Sequence, residues 1–536
     1  MSLSSSVATV AVAFLAASTV HASIEEPKIL PKPPMGFNNW ARYECNLNQT
    51  LFTQTADAMV SRGLLKAGYD RINLDDCWMA DTRLKNGSLT WNTSRFPDGI
   101  PWLGRYIKSK GFKFGIYEDA GTATCSGLPG SLYYEEIDAN DFLAWGIDYL
   151  KLDACNVPDK KGLTSEQYYK EIYSKWHDIL SKLDPPMIFS ESAPAYFVNT
   201  KNETDWYTIM NWVPEFGELA RHSYDVITYS VQNSPAWNSI MTNYKFNTFL
   251  ARLQKPGYVN DPDFLIVDHP TLSLDEKKSH FALWSSLGAP LIISANIAEL
   301  TDEEVRYLTN KDLIDVDQDD SGLQATYASR DATFDVLTRS LANGDRLVTV
   351  LNKGDSSKSI TIPLRRLGLR SDTNYQTKDL WTGGYTKVRG SISLDLNKHA
   401  TAVFRFTIPK GHDEVIPTGI ILNTDSELCL TASADGSVSS DKCDGGDGQT
   451  WQARKDGSLS VLPALDRCLE ASSDGNVKLS SCDGSNQQNW TFYASGNIVN
   501  EGSGACLSDS GTEKCGFFLD SQVFEMPSGV TVHPNK

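Results

Sequence analysis

From Pro33 onward, short apolar runs that end in polar, often acidic residues alternate with amphipathic segments of helix length. The runs read as strands: PPMGFNNW around Met35, YDRINLDDCW around Ile72, FKFGIYEDAG around Ile116, DYLKLDAC around Leu150 and MIFSESA around Ile188. RHSYDVI around Tyr224, GYVNDPDFL around Val259 and APLIISAN around Ile292 continue the series. Eight strands alternating with helices over about 260 residues match the length and order of a (β/α)8 TIM barrel, an α/β fold expected over residues 23–318. An open doubly wound sheet is the alternative, but no glycine fingerprint for a dinucleotide follows the first strand. Near Asp319 the pattern becomes strands joined by tight turns, FDVLTRSLANGDRLVTVLNK, SITIPL and ATAVFRFTI, with Asn343-Gly344 as a hairpin signal. An antiparallel β-sandwich domain is expected over residues 319–408.

The polar, proline-bounded stretch PKGHDEVIP, residues 409–417, reads as a linker. An internal repeat follows, in which a Cys-Leu step, a second cysteine and Gln-X-aromatic recur. The first copy holds Cys429, Cys443 and Gln449-Thr-Trp451, the second Cys468, Cys482 and Gln488-Asn-Trp490. The third is degenerate, with Cys506, Cys515 and Gln522-Val-Phe524. One disulfide per copy, Cys429–Cys443, Cys468–Cys482 and Cys506–Cys515, and a threefold β-trefoil over residues 418–530 follow from this period.

Composition narrows the class. The 536 residues carry a formal net charge of −18, which argues against nucleic acid or an anionic membrane as partner and suits work at mildly acid pH. Residues 1–22 form an apolar, small-residue run ending Val20-His21-Ala22, as a secretory signal peptide would, although no basic residue opens it. No later run is long and apolar enough for a membrane span. Sequons at Asn48, Asn86, Asn92, Asn202 and Asn489 agree with export as a secreted, extracellular glycoprotein. The cysteines form two even sets, Cys45, Cys77, Cys125 and Cys155 early and six late, as an oxidising compartment leaves them. None has zinc-site spacing, so no metal and no cofactor are expected.

Candidate chemistry sits at the strand ends. Trp40, Asp75, Asp76, Tyr117, Lys151, Asp153, Arg221, Asp225 and Asp263 fall at or just after carboxyl termini, the face where barrel enzymes build their sites. Lys151 and Asp153 are two apart on one strand and share a face, which suits a carboxylate kept ionised as nucleophile or base. Any one of these could be a turn residue, a helix cap or a structural ion pair; their recurrence at nearly every strand end is harder to explain that way.

PPMGFNNW, INLDDCW, GIYEDAG, YLKLDAC and NDPDFL, in this order, resemble the motifs of glycoside hydrolase family 27, the clan D α-galactosidases (melibiases) and α-N-acetylgalactosaminidases. The terminal repeat resembles a ricin B-type lectin module, and the whole is similar to secreted fungal members carrying one. The resemblance implies a retaining glycosidase with Asp153 as nucleophile and Asp225 as acid/base, a chemistry that needs one ionised and one protonated carboxyl. Lys151 would hold down the pKa of Asp153, and Asp225, against an apolar wall beside Tyr224, would keep its proton. The resemblance further implies that Asp75 and Asp76 accept from the 4- and 6-hydroxyls, Lys151 donates to the 3- and 4-hydroxyls, and Arg221 reads the 2-position. Trp40, Tyr117, Cys125, Tyr196 and Asp263 complete the implied pocket, with disulfides Cys45–Cys77 and Cys125–Cys155.

Two departures bear on substrate. In this family the loop after the fifth strand reads the 2-substituent, with Glu and Leu in animal-type galactosidases and Ser and Ala in N-acetylgalactosaminidases. Ser192 and Ala195 here look like the second type. The expected activity is therefore exo-hydrolysis of terminal α-galactose from oligosaccharides or galactomannan-type polysaccharides, with α-N-acetylgalactosaminidase or dual activity as the alternative. A carbohydrate-binding protein with an inactive barrel is a third reading. In the lectin copies the sugar-binding Asp is replaced by Thr431, Glu470 and Ser508, leaving carbohydrate binding to Glu470 or to none.

Overall fold

The computed structural model describes residues 29–198, 203–231, 233–409 and 415–535. The signal-peptide expectation, the Asn202 sequon and much of the expected linker lie outside them.

Eight parallel strands form one sheet: β1 Met35–Asn38, β2 Arg71–Leu74, β3 Lys113–Asp119, β4 Tyr149–Asp153, β5 Ile188–Glu191, β6 Leu219–Arg221, β7 Val259–Asp261 and β8 Leu291–Ile293. From β1 to β7 each pairs with its sequence neighbour, and β1 pairs with β8. Leu265, just past β7, closes the ring by donating its N–H to Ile292 O at 2.8 Å and accepting from Ser294 N at 2.9 Å. Almost every strand residue is buried, as a sheet covered on both faces requires. Gly36 and Gly115 permit the tight interior, since a Cβ would lie 2.3 Å from Arg71 O and 2.2 Å from Asn73 Oδ1 respectively.

Helices wrap the sheet and start where the sequence supplies caps. Asn48 accepts from Leu51 N at the head of α1 (Gln49–Ser61). Between it and the fourth strand run α2 (Ile100–Ser109) and α3 (Glu135–Trp145). Thr164 with Gln167 forms a capping box on α4 (Ser165–Leu180). The circuit continues with α5 (Glu203–Phe216) and α6 (Ala236–Thr248). The helix between β7 and β8, α7 (Leu274–Leu287), is buried along most of its length because a second domain covers it: Ser279 Oγ donates to His399 O at 2.6 Å and Ser286 meets Thr349 at 2.7 Å.

That second domain is a six-stranded antiparallel sheet and a two-stranded one, built from β9 (Thr326–Arg330) through β16 (Thr401–Thr407). Beyond it, three small sheets enclose a core of Leu430, Trp451, Leu469, Trp490, Leu507 and Phe524, the β-trefoil. Its internal repeat is visible in hydrogen bonds: Trp451 Nε1 donates to Leu430 O at 2.8 Å, and Trp490 Nε1 to Leu469 O at 2.9 Å. The five disulfides join Cys45 to Cys77, Cys125 to Cys155, Cys429 to Cys443, Cys468 to Cys482 and Cys506 to Cys515. Asn48 and Asn86 are exposed, Asn92 and Asn489 half-buried.

Two expectations need correcting. The sixth strand is Leu219–Arg221, not the RHSYDVI run around Tyr224. Its three residues pair with β5 and β7, and the apolar positions Tyr224, Val226 and Ile227 that looked like a strand belong to the loop beyond it. The trefoil is also no tethered module. Buried Arg252 of the barrel pairs with buried Glu525 of the trefoil, and Lys245 and Arg330 share Glu427 at 2.6 and 3.1 Å. Tyr207 and Thr424 meet through their hydroxyls at 2.8 Å, and Arg366 reaches Asp447 at 2.6 Å. Ile420, Leu422 and Val523 join the barrel's own apolar core.

Candidate active site

The carboxyl ends of β1 to β7 converge on one basin. Its floor is buried: Asp75, Asp76, Lys151, Arg221 and Asp263 are each no more than 9% exposed. Its rim is open, with Trp40, Asp153 and Tyr196 half-buried and Cys125, Cys155 and Asp225 exposed.

β3 and β4 run in register, Tyr117 beside Lys151 and Asp119 beside Asp153. The two-residue period sends all four to one face. Asp153 is held from one side: Tyr196 Oη donates to its Oδ1, and Ala154 N donates to the same oxygen at 3.0 Å. Oδ2 faces the Cys125 sulfur at 3.6 Å. Burial pushes the Asp153 carboxyl above its ordinary pKa, while the Lys151 charge and the Tyr196 hydrogen bond pull against that. The expectation that Lys151 holds Asp153 down is therefore only half met. The ammonium's hydrogen-bonded partner is Asp75, at 2.8 Å from Oδ2, and its field reaches Asp153 from there.

Asp75 is fixed by three further contacts. Asn38 Nδ2 donates to Oδ2 at 2.7 Å, Asp75 N donates to Asn39 Oδ1 at 2.8 Å, and Oδ1 accepts from Asp76 N at 2.9 Å. Asp76 accepts from Cys77 N at 2.6 Å and Ser126 N at 3.1 Å, and burial raises its pKa. Tyr117 and Phe264 cap the ammonium of Lys151, with ring centroids 5.1 and 5.4 Å away.

Opposite lies the Arg221 fork. It donates to Asp225 Oδ1 at 2.8 Å and forms an ion pair with Asp263 Oδ1 at 3.1 Å. Asp263, at a positive φ of 79°, accepts from Val226 N at 2.7 Å and so ties the Asp225 loop to β7. Burial, against the pull of Arg221, raises its carboxyl to about 7. Asp225 does not meet the apolar wall expected for it. Its side chain is 67% exposed and faces a guanidinium, because the chain turns back after Arg221 and brings position i+4 onto it. Crowding by protein raises its carboxyl, but Arg221 and then Lys151 outweigh that and hold it below the ordinary range.

Ser192 is buried, at 3% exposure, with no hydrogen-bond partner for its hydroxyl among the described residues; Ala195 is half-buried. Sequence reasoning missed Asn38, Asn39, Phe264 and Asp119. All four lie inside the quoted strand-end motifs, and Asp119 is two residues beyond Tyr117, so strand alternation alone could have found it. Asp119, Cys125, Asp153 and Cys155 bring ligand-type atoms within 4.8 Å of one another, but both sulfurs are spent in a disulfide, so this is no thiolate metal site.

This arrangement has relatives. Residues 32–319 match the family described as alpha galactosidase A, residues 331–406 the alpha galactosidase C-terminal beta sandwich domain and residues 417–523 the ricin-type beta-trefoil lectin domain. The chain belongs to the alpha-galactosidase A family. Over 515 residues it is 60% identical to an Aspergillus flavus protein described as "Probable alpha-galactosidase A", covering 96% of each chain. It is 56% identical to alpha-galactosidase A of Aspergillus niger, covering 95% of this chain and 94% of that one. Among solved structures, alpha-galactosidase I from Mortierella vinacea superposes with a TM-score of 0.64 at 28% identity, covering 71% of this chain and 98% of that one. As a member of the alpha-galactosidase A family, the chain is a glycoside hydrolase acting on α-galactosides. The N-acetylgalactosaminidase alternative drawn from Ser192 and Ala195 is not favoured.

Proposed function

We propose that the chain is an exported, retaining exo-α-galactosidase in which Asp153 attacks the anomeric carbon and Asp225 serves as acid and then base. The observation that carries this reading is the one-sided restraint of Asp153. With Oδ1 occupied by Tyr196 and Ala154, Oδ2 is the oxygen left to attack. Attack forms the Asp153 ester and breaks the glycosidic bond, and the proton of Asp225 goes to the leaving oxygen. Water then attacks the ester, gives its proton back to Asp225, and releases galactose with its α configuration kept. Asp225 needs a higher pKa than its Arg221 contact allows in the free protein. A bound sugar excluding water and burying the exposed Asp225 edge would raise it.

Asp75 and Asp76, each with oxygens fixed by neighbouring donors, and Lys151 would read the 4-, 6- and 3-hydroxyls, with Trp40 and Tyr117 as the apolar side. In the trefoil, Glu470 accepts from Gln488 Nε2 at 2.9 Å and lies 3.4 Å from Lys478, while Thr431 accepts from Gln449 and Ser508 is buried. Any carbohydrate binding there is assigned to the second copy, around Glu470. Disulfides throughout and the apolar N-terminal run support export; among the described residues no helix is long and apolar enough to cross a membrane.

Turnover of nitrophenyl α-galactoside and its N-acetylamino analogue, with proton NMR of the first product, tests the reading. Rapid hydrolysis of the galactoside with α-galactose appearing first is expected. β-Galactose first, or an Asp153→Asn variant retaining more than about a thousandth of wild-type kcat, would overturn it.

A further inference from the structure

Asp119 is used by none of the chemistry above, yet it is fully buried, at the end of β3 directly beside Asp153. Its carboxylate staples two loops. Oδ1 accepts from Gly121 N at 2.7 Å and Oδ2 from Cys155 N at 2.8 Å, two residues past Asp153. The backbone repeats the tie, with Ala120 N donating to Asp153 O at 2.8 Å and Thr122 N to Asn156 O at 3.0 Å. The Cys155 sulfur in turn lies 3.1 Å from the Tyr196 hydroxyl, the donor to Asp153. A chain of contacts thus runs from Asp119 through the Cys155 backbone and sulfur to Tyr196 and the attacking carboxylate.

Asp119 has no cation of its own. The charged and titratable groups around it are Asp153, Asp76, Glu118, Tyr117, Tyr169 and Tyr173, and no lysine or arginine pairs with it among the described residues. Asp153 has Lys151 in its field and Tyr196 on its oxygen. When one proton is shared between two carboxyls this close, the one lacking a cation takes it.

We infer that Asp119 is a positioning residue for the nucleophile: a neutral acid that fixes the Cys155 loop, and through it Tyr196, while leaving Asp153 the ionised member of the pair. Burial and the neighbouring Asp153 raise its carboxyl to about 7, in keeping with a proton held at mildly acid pH. The inference rests on Asp153 being the nucleophile.

The test compares Asp119→Ala and Asp119→Asn in the full-length enzyme on nitrophenyl α-galactoside, with Asp153→Asn as control. Asparagine is neutral, matches the acid in shape and keeps one acceptor oxygen for one of the two N–H groups, its NH2 facing the other; alanine keeps neither acceptor. Expected are a kcat reduced about tenfold or more for Asp119→Ala with KM within about threefold, and a kcat between that of the alanine variant and wild type for Asp119→Asn, which keeps one of the two contacts. A wild-type kcat in the alanine variant, a KM that rises as fast as kcat falls, or an asparagine variant no better than alanine would overturn it. If Asp119→Ala does not fold, Asp119→Ser takes its place, since one short hydroxyl cannot bridge both N–H groups. An active Asp153→Asn control would instead remove the nucleophile assignment on which this rests.

Discussion

At the residue scale the site is two carboxylates in opposite company. Asp153 is raised by burial and steadied by Tyr196; Asp225 is exposed and drawn down by Arg221. Removing the Tyr196 hydroxyl deletes a charge-assisted hydrogen bond worth about 1.5–3 kcal/mol. Part of that falls on the transition state, and the rest moves Asp153 further upward, since the bond favours its ionised form. For Tyr196→Phe we expect kcat/KM to fall about tenfold to a hundredfold and its acid limb to move to higher pH, measured on a small galactoside. Asp225→Ala should cost melibiose-type substrates far more than those with phenolic leaving groups, because only the former need protonation. Equal losses on both would show that Asp225 is not the acid.

At the element scale, much of the barrel could be read directly. Seven of the eight strands coincide with apolar runs followed by polar ends, because a strand covered on both faces is written as a continuous apolar run. The eighth case, Leu219–Arg221, has only three residues, and a neighbouring loop rich in Tyr, Val and Ile masked it. The same slip hid the surroundings of Asp225: placed on a strand it seemed to face a wall, whereas on a loop it folds back onto Arg221. The partners of Lys151 were also out of reach, since adjacency along β4 favours Asp153 while the Asp75 contact crosses to β2. Close approach at the β3 and β4 ends gives a test. A Cβ on Gly121 would sit 2.3 Å from the Asn156 carbonyl, so Gly121→Ala must part the two loops. Lower thermal stability together with a reduced kcat is expected, read by calorimetry and single-turnover kinetics.

At the scale of the whole molecule, composition and repeats pointed to a barrel, a β-sandwich and a trefoil but not to their mutual burial, since charge pairs such as Arg252–Glu525 link positions far apart in the chain. Deleting residues 418–536 would strip Ile420, Leu422 and Val523 from the barrel core, bare the apolar seam they cover and remove the Arg252–Glu525 pair. The truncated chain should therefore melt well below the full-length protein, which should unfold in a single calorimetric transition. Equal melting temperatures would refute this. Stability should also depend on pH in a definite direction. Asp119, Asp263 and Glu525 are each raised to about 7, so the folded state holds protons that the unfolded chain has lost. Their contribution is complete below about pH 4 and declines as pH rises toward 7. Glu276, Glu304 and Glu427 are lowered, and what they contribute is lost only on further acidification. The melting temperature should peak at mildly acid pH and fall by several degrees, roughly, toward pH 7.5.

The pairing of Arg252 with Glu525 also constrains descent. A lectin module on a free tether can be gained, lost or exchanged by recombination at the tether, and each half remains viable. Here a recombinant that acquires a different trefoil inherits a desolvated guanidinium, and one that loses it inherits a bared apolar seam. The two halves are therefore expected to diverge together, each substitution at the seam answered by another across it.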